Sequence, residues 1–104
     1  MSDMIPIEYR DFYDIPRMFI LSFNDQTYLF DCPFDDASDA YPDRYSIYLM
    51  PNLNAEDLAG LWDGLASRAI SKVGEVSTDQ VKFDRSLRSS VDSEIVSHLD
   101  GSSR

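Results

Sequence analysis

The sequence predicts an α+β domain in which one antiparallel or mixed sheet of about four to five strands carries two packed helices, in the order β-β-β-β-α-β-α. Three observations predict it. Residues 18–23, 27–30 and 44–50 are short runs rich in aromatic and branched side chains, the composition of strands. Leu58, Leu61, Trp62, Leu65, Ala69 and Val73 recur at the spacing of one helix face, with Ile70 on its flank. Leu87, Val91, Ile95 and Leu99 then repeat every fourth residue. The alternative arrangement is a small, strongly bent SH3-like barrel with the helices appended.

In chain order, Ile5, Ile7 and Tyr9 alternate with Pro6 and Glu8 at period two. Pro6 lacks a ladder donor, which places this strand at an edge. Residues 11–16 read as a connection that folds Phe12 and Tyr13 back over the sheet. Asn24, Asp25 and Gln26 tolerate left-handed backbone, so residues 18–30 read as a hairpin closed by a turn of either two or three residues. Both of its strands are apolar on both faces, which makes them central and at least partly covered on each side.

Tyr41-Pro42-Asp43-Arg44 fits a type I turn. In the strand that follows, Tyr45, Ile47 and Leu49 point one way and Ser46, Tyr48 and Met50 the other. Pro51 ends that strand. Asn54 caps the first helix with Asp57 three residues on, and Glu56 suits the positive end of its dipole. Gly60 and Gly64 weaken this helix and fall on the side away from its apolar stripe. Gly74 ends it, and residues 75–76 and 81–84 supply a last strand around a polar run. Asp84 or Ser89 caps the second helix, Gly101 closes it, and residues 101–104 form a frayed tail.

With 104 residues, 43% of them hydrophobic, the chain has the size and composition of one folded domain spanning residues 1–104. Its net charge of −10 is unevenly placed. Residues 1–63 hold thirteen acids against Arg10, Arg17 and Arg44, whereas residues 64–104 hold six acids and six bases. An acidic half of this kind repels nucleic-acid phosphates and anionic membranes and favours basic proteins or cations. Asp supplies fifteen of the nineteen acids and Lys only two of the nine bases, a balance that also suits solubility in high salt.

Cys32 is the single cysteine, so no intramolecular disulfide forms and a reducing compartment is expected. The first residues show no basic segment followed by an apolar one, and the apolar run 18–21 is too short to span a bilayer. Cytoplasmic residence away from membranes is the expectation.

The stretch from Asp31 to Asp43 carries five carboxylates and no base, with Phe34 and Tyr41 bracketing its middle. Phe34, Asp35, Asp36, Asp39, Tyr41 and Asp43 form the expected surface for a protein partner, a basic one. A divalent-cation site or a metal-dependent enzyme built on the same Asp cluster is the alternative, and acidity that serves only solubility is a third. An EF-hand frame does not fit: counted from Asp31 it places Pro42 at position twelve, and from Asp35 it places Ser46 there, so the terminal Glu is missing.

No cofactor is expected, because the four glycines form no phosphate-binding spacing. Catalysis is not expected either. Cys32 and His98 are the only nucleophile–base pair of their kind, and Cys32 reads as a small buried hydrophobe. Arg68, Lys72, Lys82, Arg85 and Arg88 read as cations that neutralise neighbouring acids, or that pair with the acidic loop. Eleven of the twelve Tyr and Phe residues lie between Tyr9 and Tyr48, mostly as core, with Tyr13, Phe34 and Tyr41 placed in loops.

Overall fold

The computed structural model describes residues 4–13, 15–23, 25–32, 34–59, 62, 64–85 and 90–99. The strands are β1 (Met4–Tyr13), β2 (Ile15–Phe23), β3 (Gln26–Asp31), β4 (Arg44–Met50), β5 (Ser71–Ser77) and β6 (Ser90–Asp92). They form one antiparallel sheet in the order β5-β4-β3-β2-β1-β6. Among the described residues, helix is confined to α1 (Ala55–Ala59) and to three 3₁₀ turns, Leu65–Arg68, Thr78–Gln80 and Ser93–His98. The expected sheet with two packed helices is therefore wrong. The chain is mostly sheet.

The first helix begins as its sequence indicates. The Asn54 side-chain oxygen accepts from the Asp57 N–H at 2.8 Å, and the Asp57 carboxylate accepts from the Asn54 N–H at 3.0 Å. That reciprocal cap opens α1, which covers Ala55–Ala59 among the described residues. Gly64 then adopts φ 75°, a left-handed conformation that no α-helix interior contains, and the chain continues as a 3₁₀ turn. Leu58, Trp62, Leu65 and Ala69 still pack together on the sheet. Their spacing signalled a covering strip rather than a helix. Val73 instead lies in β5 and joins the opposite face; Gly60 and Leu61 lie outside the described residues.

The second helix is also replaced. Val91, Ile95 and Leu99 are buried together, but Val91 stands on β6 and Ile95 on the 3₁₀ turn after it. The Asp92 carboxylate accepts from the Glu94 N–H at 2.9 Å, a local bond that ends the strand and starts the turn. Leu87, the cap Ser89, Gly101 and the tail 101–104 lie outside the described residues.

β1 is longer than expected and is not an edge. It pairs with β2 as far as Tyr13↔Ile15, so residues 11–16 close a hairpin instead of forming a connection. On its other side Met4, Ile5 and Pro6 pair with Asp92, Val91 and Ser90. Pro6 sits at the last rung of that short ladder, where a missing donor interrupts least. The β2–β3 hairpin has a two-residue turn, with Phe23 opposite Gln26 and Asp25 at φ 66°. β5 starts at Ser71, inside the span expected as helix, and residues 82–84 only bridge to β6, through Phe83↔Val91.

Alternation along the strands builds two cores, one per face. Phe19, Leu21, Tyr28, Phe30, Tyr45, Ile47 and Val76 lie on one side with Val81, Val91, Ile95 and Leu99. Ile20, Leu29 and Met50 lie on the other, beneath Trp62 and Leu65. The central placing of β2 and β3 and the two-sided reading of β4 both hold. Because β5 and β6 are at opposite ends of the sheet yet feed the first core, the sheet curls around it, and the Ser93–His98 turn packs against β5. Each fully buried large apolar side chain there contributes roughly 1.5–3 kcal/mol. Phe19 and Phe30 stack at 4.6 Å, with Tyr45 edge-on to Phe19 at 5.3 Å.

Candidate functional site

The acidic stretch extends the β3–β4 hairpin. The Cys32 N–H donates to the Arg17 carbonyl at 2.7 Å, carrying the chain one step beyond β3. Asp35 and Ala40 then exchange backbone bonds of 2.8 and 3.2 Å, which closes a tight turn. The Asp35 carboxylate is used inside that turn, where it accepts from the Ala37 N–H and the Ser38 hydroxyl, each at 3.0 Å. Asp39 supplies the left-handed residue, at φ 56°.

Aromatic packing fixes the base of the turn. Phe34 meets Tyr41 edge-to-face at 5.2 Å, and the Arg17 guanidinium lies over the Tyr41 ring at 4.6 Å. Arg17, Phe34, Asp39, Ala40 and Tyr41 line a hollow of about 350 Å³. Phe34 stays 46% exposed beside it.

The structure therefore brings Phe34, Asp39 and Tyr41 together and directs the Asp35 carboxylate inward. Asp36 and Asp43 are exposed, and the Asp43 carbonyl accepts from the Thr78 N–H at 2.8 Å, which ties the base of the hairpin to the end of β5. Among the described residues, no group of three His, Cys, Asp or Glu side chains is placed to hold a metal ion. The loop carboxylates do not form a cage. Tyr13 ends β1 rather than sitting in a loop, and its side chain lies outside the described set.

Arg17 is the member of this cluster that the sequence did not single out. It was visible only as one of three bases in the acidic half. Period two counted back from Phe19 places it on the face that carries Cys32 and Tyr41. Its guanidinium also donates to the Cys32 sulfur at 3.6 Å, while that thiol donates to the Pro42 carbonyl at 3.2 Å. Burial pushes the Cys32 thiol above its ordinary range, against the opposing pull of Arg17. A buried, protonated thiol is a poor nucleophile. The His98 side chain lies outside the described residues.

Of the late cations, Arg68 and Lys72 pair with nearby acids. Arg68 meets Asp57 at 3.0 Å, and Lys72 and Arg44 meet Glu75 at 2.7 and 3.6 Å. None of these pairs reaches the acidic hairpin; Arg88 lies outside the described residues. A second hollow, about 770 Å³, runs between β1 and α1 and is lined by Glu8, Arg10, Leu53, Asn54 and Leu58 among others. There the Arg10 guanidinium is engaged, donating to the Leu58 and Tyr9 carbonyls and lying 4.6 Å from the Trp62 ring centre.

Comparison with family models, curated proteins and solved structures finds no match. Among the described residues, no helix is long and apolar enough to cross a membrane.

Proposed function

We propose that this chain is a non-catalytic protein-binding domain, and that the hairpin of residues 32–43 is its binding surface. The observation that carries the reading is Phe34. This aromatic ring stands 46% exposed on the edge of Tyr41, in a loop with no base and five carboxylates between residues 31 and 43. An aromatic anchor held by a rigid turn is the kind of group that dominates interface energetics. The surrounding Asp36, Asp39 and Asp43 steer a basic partner toward it and repel nucleic acid. Cytoplasmic residence, where a lone thiol persists unpaired, belongs to the same reading.

A set of short peptides that combine Lys or Arg with one apolar residue tests the proposal by fluorescence anisotropy. Binding is expected to weaken with added salt. Phe34→Ala should weaken it about 30-fold, the scale of an interface anchor worth roughly 2 kcal/mol. Asp36→Asn/Asp43→Asn should slow association and flatten the salt dependence. Equal binding by wild type and both variants would remove the hairpin as the site and leave acidity as an aid to solubility.

A further inference from the structure

We infer that the hollow beside Phe34 takes one uncharged aromatic side chain of the partner, and that Arg17 and Asp39 set this preference by excluding ions of either sign. The preference rests on the binding role of the hairpin and deepens it: the partner's basic residues stay outside, and the residue they flank enters. Phe34, Ala40 and Tyr41 give the hollow its apolar walls. Its volume of about 350 Å³ lies at the small end for a ligand pocket, room for one large side chain. Phe34 and Tyr41 meet edge-to-face with their planes 83° apart, so the two rings form a corner rather than a flat patch. A planar ring suits such a corner, stacking on one wall and meeting the other edge-on.

Charge decides against the other occupants. The Arg17 guanidinium lies 4.6 Å over the Tyr41 ring and donates to the Cys32 sulfur at 3.6 Å, so its charge is held at the hollow from the β2 side. Asp39 brings a carboxylate to the same hollow from the turn. A Lys or Arg side chain that enters gains Asp39 but meets Arg17. A Glu or Asp side chain gains Arg17 but meets Asp39. Either ion also exchanges water for ring surface, a cost that the opposed pair does not offset. An aromatic side chain escapes both penalties and removes water from Phe34, which is 46% exposed. An aliphatic one fills space without stacking on the rings or on the guanidinium. Asp36 and Asp43 are exposed and do not line the hollow, which leaves the attraction for bases outside it. A second copy of this chain brings a net charge of −10 to the same surface and is repelled.

Peptides of the form Lys-Lys-X-Lys-Lys, with X as Trp, Leu, Lys or Glu and net charge held equal through the terminal residues, test the preference by fluorescence anisotropy on the full chain. The Trp peptide should bind most tightly and Leu less, with Lys and Glu about tenfold below Trp, the effect of one charge left unpaired. Asp39→Asn, whose new side chain tolerates the left-handed backbone at φ 56°, should improve the Glu peptide and weaken the Lys peptide. Arg17→Gln should do the reverse. Damage to the hairpin alone would weaken every peptide together, so the opposite shifts carry the test. A Leu, Lys or Glu peptide that binds wild type as tightly as Trp, or variants that move Lys and Glu alike, would overturn the preference; if Phe34→Ala still weakens binding, the hairpin stands as the site. Binding indifferent to Phe34→Ala removes the hairpin and the preference with it. Sedimentation of wild type supplies the last outcome: a dimer that Phe34→Ala dissolves would put a second copy in the hollow and overturn the assignment to a basic partner.

Discussion

Replacing Gly64 by alanine separates two accounts of residues 55–73 by the sign of its effect. In the structure Gly64 has φ 75°, and a Cβ built there meets its nearest neighbour, the Ser67 hydroxyl, at 3.8 Å. Space is therefore adequate, and the cost is conformational. An L-residue held in the left-handed region loses about 1–2 kcal/mol relative to glycine. Restriction of the unfolded chain returns about 0.4–1 kcal/mol of that. Gly64→Ala should thus destabilise by about 1 kcal/mol, a melting shift on the order of 4–8 °C for a domain near this size. A continuous helix through the same position would respond in the opposite way, gaining about 1 kcal/mol from the same substitution. Urea unfolding followed by circular dichroism reads both the stability and the helical signal. A variant as stable as wild type or more so, with a stronger helical spectrum, would refute the interrupted strip and restore the long helix.

Two further outcomes follow from individual contacts. Tyr45→Phe keeps the fully buried ring but removes the hydroxyl that donates to the buried Pro16 carbonyl, and should cost about 1–2 kcal/mol in urea unfolding; a neutral result would show that this bond contributes nothing. Asp57 is held below the usual carboxylate range by the Asn54 N–H and then by Arg68, and Glu75 by Lys72. A depressed folded pKa gives stability that is present above the unfolded value, near 4, and is lost as pH falls through the folded one. Asp57→Asn should accordingly flatten the acid side of the stability–pH curve, and an unchanged acid limb would contradict the assignment.

The strands were largely legible because their signal is local. Alternation around Tyr45, Ile47 and Leu49 survives whatever covers the sheet, and Asn-Asp between two apolar runs requires a reversal. The helices were misread because a period of three to four also describes residues that touch one surface through a broken strip. Nothing in Leu58, Trp62 and Leu65 distinguishes those cases, and Gly64 carried the deciding information in its backbone angle. The recurrence of Val91 and Ile95 misled for the same reason, with Asp92 ending a strand between them. At the hairpin, Phe34 and Tyr41 were readable as a pair beside acids. Arg17 was not, because its meeting with Tyr41 depends on how β2 lies against the base of the loop.

The register shift between β4 and β5 bears on how this sheet behaves in a crowded solution. Ile47 faces Gly74 and Tyr48 faces Lys72, so Val73 is an extra residue on the terminal strand. The bulge turns Val73 and Val76 to the core together and sets Lys72 and Glu75 side by side on the outer face, where they pair at 2.7 Å. A flat terminal strand is a template on which other chains stack into fibrils; a kinked one carrying a charged pair is not. Deleting Val73 would straighten that border. Aggregation of such a chain, under conditions in which the parent stays clear, is the mark of a sheet whose irregularity protects it.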